Sequence, residues 1–293
     1  MFTRAFVLLV LAGLYYPVLA QMMQIWLTHQ YAGHGIFVPL FSAVLLWMER
    51  DRLRTVPRTE DRTGLAVIFL GVGVLALGYW TDSLLIEGWS VVIAVAGAVL
   101  WCLGRQWLRV VAFPVGFLTL MVPLPRPLVD AVTLDLQLFA AGFSGWILRL
   151  LDIPVYLSGV VIELPTMTLE VAEICNGLRF LMALMVLTVA FAQVTQRGWL
   201  RKTALIVSAI PIAILANASR VAVIALAVHF IGPHAATGVI HHAIGKAVWA
   251  LTLAPLIAVG FALSRGGRRS DYQPSPAIDE ELHGVGEKLK ADG

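Results

Sequence analysis

From Gly64 to Trp80 the chain reads Gly-Leu-Ala-Val-Ile-Phe-Leu-Gly-Val-Gly-Val-Leu-Ala-Leu-Gly-Tyr-Trp, 17 residues without a charge. Helical, that stretch rises about 25 Å and meets the roughly 17-residue minimum for crossing a hydrocarbon core. Its two flanks differ. Arg50, Arg52, Arg54, Arg58 and Arg62 precede it, whereas Thr81 to Glu87 holds no Lys or Arg. An uncharged helix with arginines at one end only is a membrane span whose orientation is marked, because basic loops stay on the cytoplasmic side.

The rest of the chain repeats the pattern. Of 293 residues, 59% are apolar and 13% charged, about half the charge that ordinary soluble domains carry. A soluble globule is excluded, and with two cysteines and no periodic glycine so are disulfide-built and fibrous classes. The expected fold is all-α, a polytopic transmembrane helical bundle, since in hydrocarbon every backbone polar group must be satisfied within its own segment. The net charge of +3 comes without a basic stripe beside aromatics, so no nucleic acid partner is expected. The partner implied by composition is the lipid bilayer.

Apolar runs fall near 5–23, 35–48, 64–80, 88–104, 110–124, 127–150, 176–194, 203–231 and 239–263. Basic residues cluster in alternate connections: Arg4; Arg50 to Arg62; Arg105 and Arg109; Arg197, Arg201 and Lys202; Arg265, Arg268 and Arg269. Both termini are then cytoplasmic and the number of crossings is even, about eight. One run must not cross. The expected exception is 127–150, where Asp130, Asp135, Gln137 and Arg149 oppose a stripe of Leu128, Val132, Leu136, Phe139, Phe143 and Trp146, the pattern of an interfacial helix. The alternative, a full span there with another run re-entrant, stays open at this level. The first run continues through Tyr15, Tyr16 and Pro17 to Met23 and is read as a retained helix rather than a signal peptide. Ile153 to Glu173 is rich in β-branched residues and predicts a small extracytoplasmic hairpin. The chain divides into N-terminal helices (1–125), a core carrying the chemistry (126–265) and an acidic, solvated cytoplasmic tail (266–293) expected to be mobile.

Chemistry concentrates in Val171-Ala-Glu-Ile-Cys-Asn-Gly-Leu-Arg-Phe180. Cys175 opens a span at its outer end, where unpaired N–H groups and Arg179 one turn on both favour the thiolate. Asn176 and Gly177 follow, the glycine allowing close approach of another backbone. Glu173 is a group to orient a histidine, accept a proton or favour the helix start. Arg220 interrupts an apolar span, a placement costing about 2.5 to 3.5 kcal/mol on insertion scales and therefore reserved for interior sites. Asn217 lies three residues earlier, on the same helical face. His241 and His242 open the last span. At 1.5 Å per residue, Cys175 is ~32 Å from Gln196, Arg220 ~27 Å from Lys202, and His241 ~36 Å from Arg265. Three antiparallel helices thus present a thiol, a cation and an imidazole at one level near the outer interface. That set suffices for acyl transfer: a nucleophile, a proton carrier and a stabiliser of the oxyanion. No acidic or Cys residue accompanies His229, His234, His241 and His242 at ligand spacing, so neither metal nor cofactor is expected. Cys102 falls at the opposite membrane side from Cys175, which excludes a disulfide between them.

Pro123-Leu-Pro125, Leu136-Gln137, Gly159 with Ile162-Glu-Leu-Pro165, Val171-Ala-Glu173 leading to Cys175-Asn-Gly-Leu-Arg179, Ala216-Asn-Ala-Ser-Arg-Val221, and His241 with Gly245 together resemble the exosortase/archaeosortase family of membrane-embedded cysteine transpeptidases. The resemblance implies Cys175 as nucleophile, Arg220 as essential arginine and His241 as third catalytic residue. It implies a thiol protease or transpeptidase of the bacterial inner membrane, its site facing the periplasm. Its partners are exported proteins whose C-terminal sorting signal is a short motif such as Pro-Glu-Pro, a transmembrane helix and a basic cluster. Asn176 departs from the family's more familiar Ser or Ala, and His242 beside His241 leaves two histidines to choose between. Two other classes fit the bare residues: a transporter in which Arg220 binds an anion, and a non-catalytic assembly component for envelope exopolysaccharide export.

Overall fold

The structure, a computed structural model, describes residues 2–171 and 177–265. Ten α-helices are described: α1 (Phe2–Thr28), α2 (Phe37–Met48), α3 (Arg50–Thr55), α4 (Thr63–Thr81), α5 (Leu84–Leu103), α6 (Arg105–Phe117), α7 (Arg126–Leu150), α8 (Gly177–Thr195), α9 (Trp199–Ile231) and α10 (Gly238–Arg265). Short 3₁₀ segments cover Gln30–Ile36, Leu118–Met121 and Pro233–Ala236. Among the described residues, eight segments are long and apolar enough to cross a membrane: α1, the 3₁₀ turn with α2, α4, α5, α7, α8, α9 and α10. The chain is an all-α, multi-pass membrane protein.

Glycine spacing explains the tightest helix pair. Gly64, Gly71 and Gly78 recur every seven residues on α4 and face Trp101, Ala94 and Glu87 on α5, also seven apart, in one antiparallel register; Gly97 returns the contact against Ile68. A methyl at Gly71 would stand 3.1 Å from the Ala94 nitrogen, and one at Gly78 2.6 Å from the Glu87 Cγ. Small residues at this repeat let two membrane helices approach backbone to backbone. At the start of α4, Asp61 accepts hydrogen bonds from the Thr63 amide (3.0 Å) and hydroxyl (2.6 Å), which satisfies donors that a helix start leaves open.

Polar contacts assign several of the connections to one or the other end of the bundle. At the arginine-rich end, Arg4 pairs with Glu60, the Thr59 amide donates to the Leu103 carbonyl (3.2 Å), and the Trp107 indole donates to the Val56 carbonyl (3.2 Å). At the other end the Trp26 indole donates to the Met121 carbonyl (2.9 Å) and Arg126 bonds the His29 Nε2 (3.0 Å). There a cavity of about 350 Å³ opens between His29, Asp82, Leu85, Pro123 and Arg126. The stretch Arg105–Met121 therefore joins the two ends. Its 13 α-helical and four 3₁₀ residues rise about 28 Å, although α6 alone is too short to stand among the eight. Helix α7 begins at the far end. Ala140, Ala141 and Leu148 pack in one cluster with Ala218, Val221, Ile224, Ala225 and Val228 from the second half of α9. By length and apolarity α7 is among the eight segments able to cross, although its sequence pattern predicts an interfacial helix.

Beyond α7 the expected hairpin is a three-stranded antiparallel meander, β1 (Tyr156–Ser158), β2 (Val161–Glu163) and β3 (Thr168–Glu170). Leu157, Ile162 and Leu169 are cross-strand partners and join the same cluster. Gly145 on α7 makes room for the Leu157 side chain, which would stand 2.5 Å from a methyl there. Two further cores fill the bundle, one among α1, α2, α4, α5 and Met121, the other among α8, α9 and α10, where Phe180, Leu184, Leu205, Ala209 and Leu256 meet.

Candidate active site

Helices α9 and α10 meet at the level where the depth arithmetic puts Arg220 and His241. The Arg220 guanidinium donates from an NH2 nitrogen to His241 Nε2 at 3.0 Å. Because a guanidinium has no acceptor, Nε2 carries a lone pair there and the imidazole is neutral, with its proton on Nδ1. Gly245, one turn beyond His241, supplies the floor. A methyl at that position would stand 3.2–3.3 Å from the NH2, Cζ and Nε atoms of Arg220, so the guanidinium lies flat against bare backbone. His242 points outward and is exposed, its ring edge-on to that of His241 at 5.7 Å. The structure thus brings His241, and not His242, to Arg220.

Asn217 lies one turn below Arg220, buried at 4% exposure. Its Nδ2 faces Gly177, where a methyl would stand 2.9 Å from it; the Leu136 Cβ from α7 closes the other side at 3.4 Å. Gly177 is therefore the point where the start of α8 touches both α7 and α9. Arg179 is exposed. Cys175, Glu173 and Asn176 lie outside the described residues. Cys102 is at the arginine-rich end of α5.

Polar atoms around this centre are conspicuously unpaired. Among the described residues, Arg220 Nε, His241 Nδ1, Asn217 Oδ1 and Thr133 Oγ1 are buried without a hydrogen-bond partner. Leaving one such group unsatisfied costs on the order of 1–3 kcal/mol, and most buried polar groups in folded proteins avoid it. Two of these features escaped the sequence. Thr133 carried no signal, since a helical threonine normally bonds its own backbone. Gly245 was visible as a spacing from His241, but not as a seat for an arginine on another helix.

A sequence profile described as transmembrane exosortase matches residues 26–258. The chain belongs to the exosortase family. The match includes the Cys175 stretch, α9 up to and beyond Arg220, and His241 with Gly245. Membership of the exosortases implies a membrane transpeptidase or protease role. No curated protein and no solved structure matches the chain.

Proposed function

We propose that this exosortase is a cysteine transpeptidase or protease whose site is built from Cys175, Arg220 and His241, and that it cleaves exported proteins carrying a C-terminal sorting signal. The observation that carries the reading is the Arg220–His241 pair seated on Gly245, in a chain whose family implies this chemistry. In the sequence Cys175 stands two residues before Gly177, the glycine that meets Asn217. In this reading residues 126–265 carry the reaction, the helices before Pro125 brace them, and 266–293 form a tail. The arginine-rich end faces the cytoplasm of a bacterial inner membrane, both termini included, and the site faces outward.

The Cys175 thiol gives its proton to His241 Nε2 and the thiolate sulfur attacks the peptide carbonyl carbon. Arg220 holds Nε2 in the resting site. When substrate arrives the guanidinium turns to the carbonyl oxygen, which frees the lone pair and stabilises the tetrahedral oxyanion. Collapse breaks the C–N bond, the imidazolium returns its proton to the leaving amine, and a thioester remains on Cys175. An incoming amine or water then attacks the thioester and the sulfur leaves as the thiol. Arg179, Asn217, Glu173, Asn176 and His242 support or contact the substrate around this core.

The test compares Cys175→Ala and Cys175→Ser with wild type in membranes, using a tagged reporter that ends in a Pro-Glu-Pro motif, a transmembrane helix and an arginine cluster. Loss of cleavage in both, with an acyl-enzyme trapped on wild type, is expected. Normal cleavage by Cys175→Ala sinks the mechanism.

A further inference from the structure

A helical threonine in an apolar setting usually donates its hydroxyl to the carbonyl a turn earlier. Thr28, Thr81, Thr188, Thr195 and Thr252 all do so, at 2.7–2.8 Å. Thr133 does not, and its Oγ1 is buried with no partner among the described residues. It sits three residues before Leu136 on the face of α7 that meets Gly177. Across that contact stands Asn217, whose Oδ1 is likewise buried and unpartnered and whose Nδ2 is turned to the start of α8. Asn217 thus borders Gly177 directly, one turn along α9 from Arg220, and Thr133 lies one turn along α7 from Leu136, which packs on the same glycine. A carboxamide matches one molecular complement in particular: a peptide group, whose N–H satisfies Oδ1 while its C=O takes Nδ2.

Resting on the proposed function, we propose that Thr133 and Asn217 bind the backbone of an extended substrate peptide beside the scissile bond, and so read main chain rather than side chains. Asn217 pairs with one peptide group and Thr133 with another; α7 forms one wall of the groove and yields to admit the chain. The buried atoms stay unsatisfied in the free enzyme because substrate is their partner. This arrangement offsets part of the cost of ordering an extended segment, and it acts on every substrate regardless of side-chain sequence.

The experiment uses the full-length enzyme and the same Pro-Glu-Pro reporter, with Thr133→Val, Thr133→Ser, Asn217→Leu and Cys175→Ala measured for cleavage kinetics and thermal unfolding. Thr133→Val is expected to raise KM about 3- to 10-fold and Asn217→Leu about 10-fold or more, the range of one and two neutral hydrogen bonds, with kcat within about twofold for Thr133→Val. Thr133→Ser restores the wild-type KM. Both apolar variants unfold at the wild-type temperature or above, because each removes a buried polar atom that lacks a partner. An unchanged KM in both apolar variants overturns the proposal. So does a fall of several degrees in unfolding temperature for the isosteric Thr133→Val, which would mark the hydroxyl as part of an internal network. Continued cleavage by Cys175→Ala instead removes the reading on which the proposal stands, and the two failures are distinct.

Discussion

Two helix pairs in this protein solve opposite problems. In α4–α5 the partners touch through bare backbone at Gly64, Gly71, Gly78 and Gly97, and 44% of the apolar window of α5 is buried. In α9–α10 the glycine at the crossing, Gly245, receives not a neighbouring backbone but a guanidinium. The first pair spends small residues on packing, which in lipid is the main available source of helix association. The second uses one to seat a charge beside an imidazole, and leaves polar atoms unsatisfied around it. Stability and chemistry are thus placed in different hairpins of one bundle.

That division is open to attack. The largest effect is expected at Arg220: Arg220→Ala should lower the cleavage rate about 10²- to 10³-fold, the cost of removing one preorganised oxyanion donor. Arg220→Lys should recover little of it, since an ammonium cannot reproduce the planar fork. Reporter cleavage in membranes measures both. Next comes the packing hairpin. Gly71→Leu overpacks the α4–α5 contact and should cost about 1–3 kcal/mol, read as a lowered unfolding temperature in detergent, while the protein that remains folded keeps its kcat. A catalytic defect larger than the loss of folded protein would break the comparison.

Gly245→Ala is the mirror experiment. The methyl meets the movable end of a side chain, so unfolding should shift little, yet the guanidinium is displaced by a few tenths of an ångström and kcat should fall about tenfold, short of the 10²-fold that a full ångström can cost. The smallest effect lies just before α4. The hydroxyl and amide of Thr63 hold the Asp61 carboxyl below the usual carboxylate range. A lowered folded-state value means that the stabilisation is fully present above the ordinary aspartate value of about 3.9 and is lost as pH falls through the folded value. Asp61→Asn should therefore lower the unfolding temperature slightly at pH 7, and the difference from wild type should vanish in strong acid.

Much of this plan was legible in the chain itself. The apolar runs announced a multi-pass helical bundle, and residue counting put Arg220 and His241 at one depth, where their side chains meet. The seven-residue repeat of Gly64, Gly71 and Gly78 was equally present, but its meaning depends on a partner with the same repeat in the opposite direction, which only the folded pair supplies. Arg105–Met121 and α7 were harder to tell apart. A short helix extended by a 3₁₀ turn reaches from end to end, while the amphipathic α7 is long and apolar enough to cross; span length is a sum over conformations that composition does not fix. Thr133 was invisible because its distinction is a bond it fails to make.

One consequence follows from the 33 residues of α9. Such a helix is roughly 50 Å long, well beyond a hydrocarbon core of about 30 Å, and its excess stands at the end that holds the meander. From Trp199 to Arg220 it rises about 32 Å. In the proposed reaction α9 is consequently a caliper. A client helix of about 21 residues sets its basic cluster and its cleavage motif against the two jaws at once, while shorter or longer clients meet only one. Selection by length would then come from the span of a helix that the enzyme already owns, without any pocket shaped to the client's sequence.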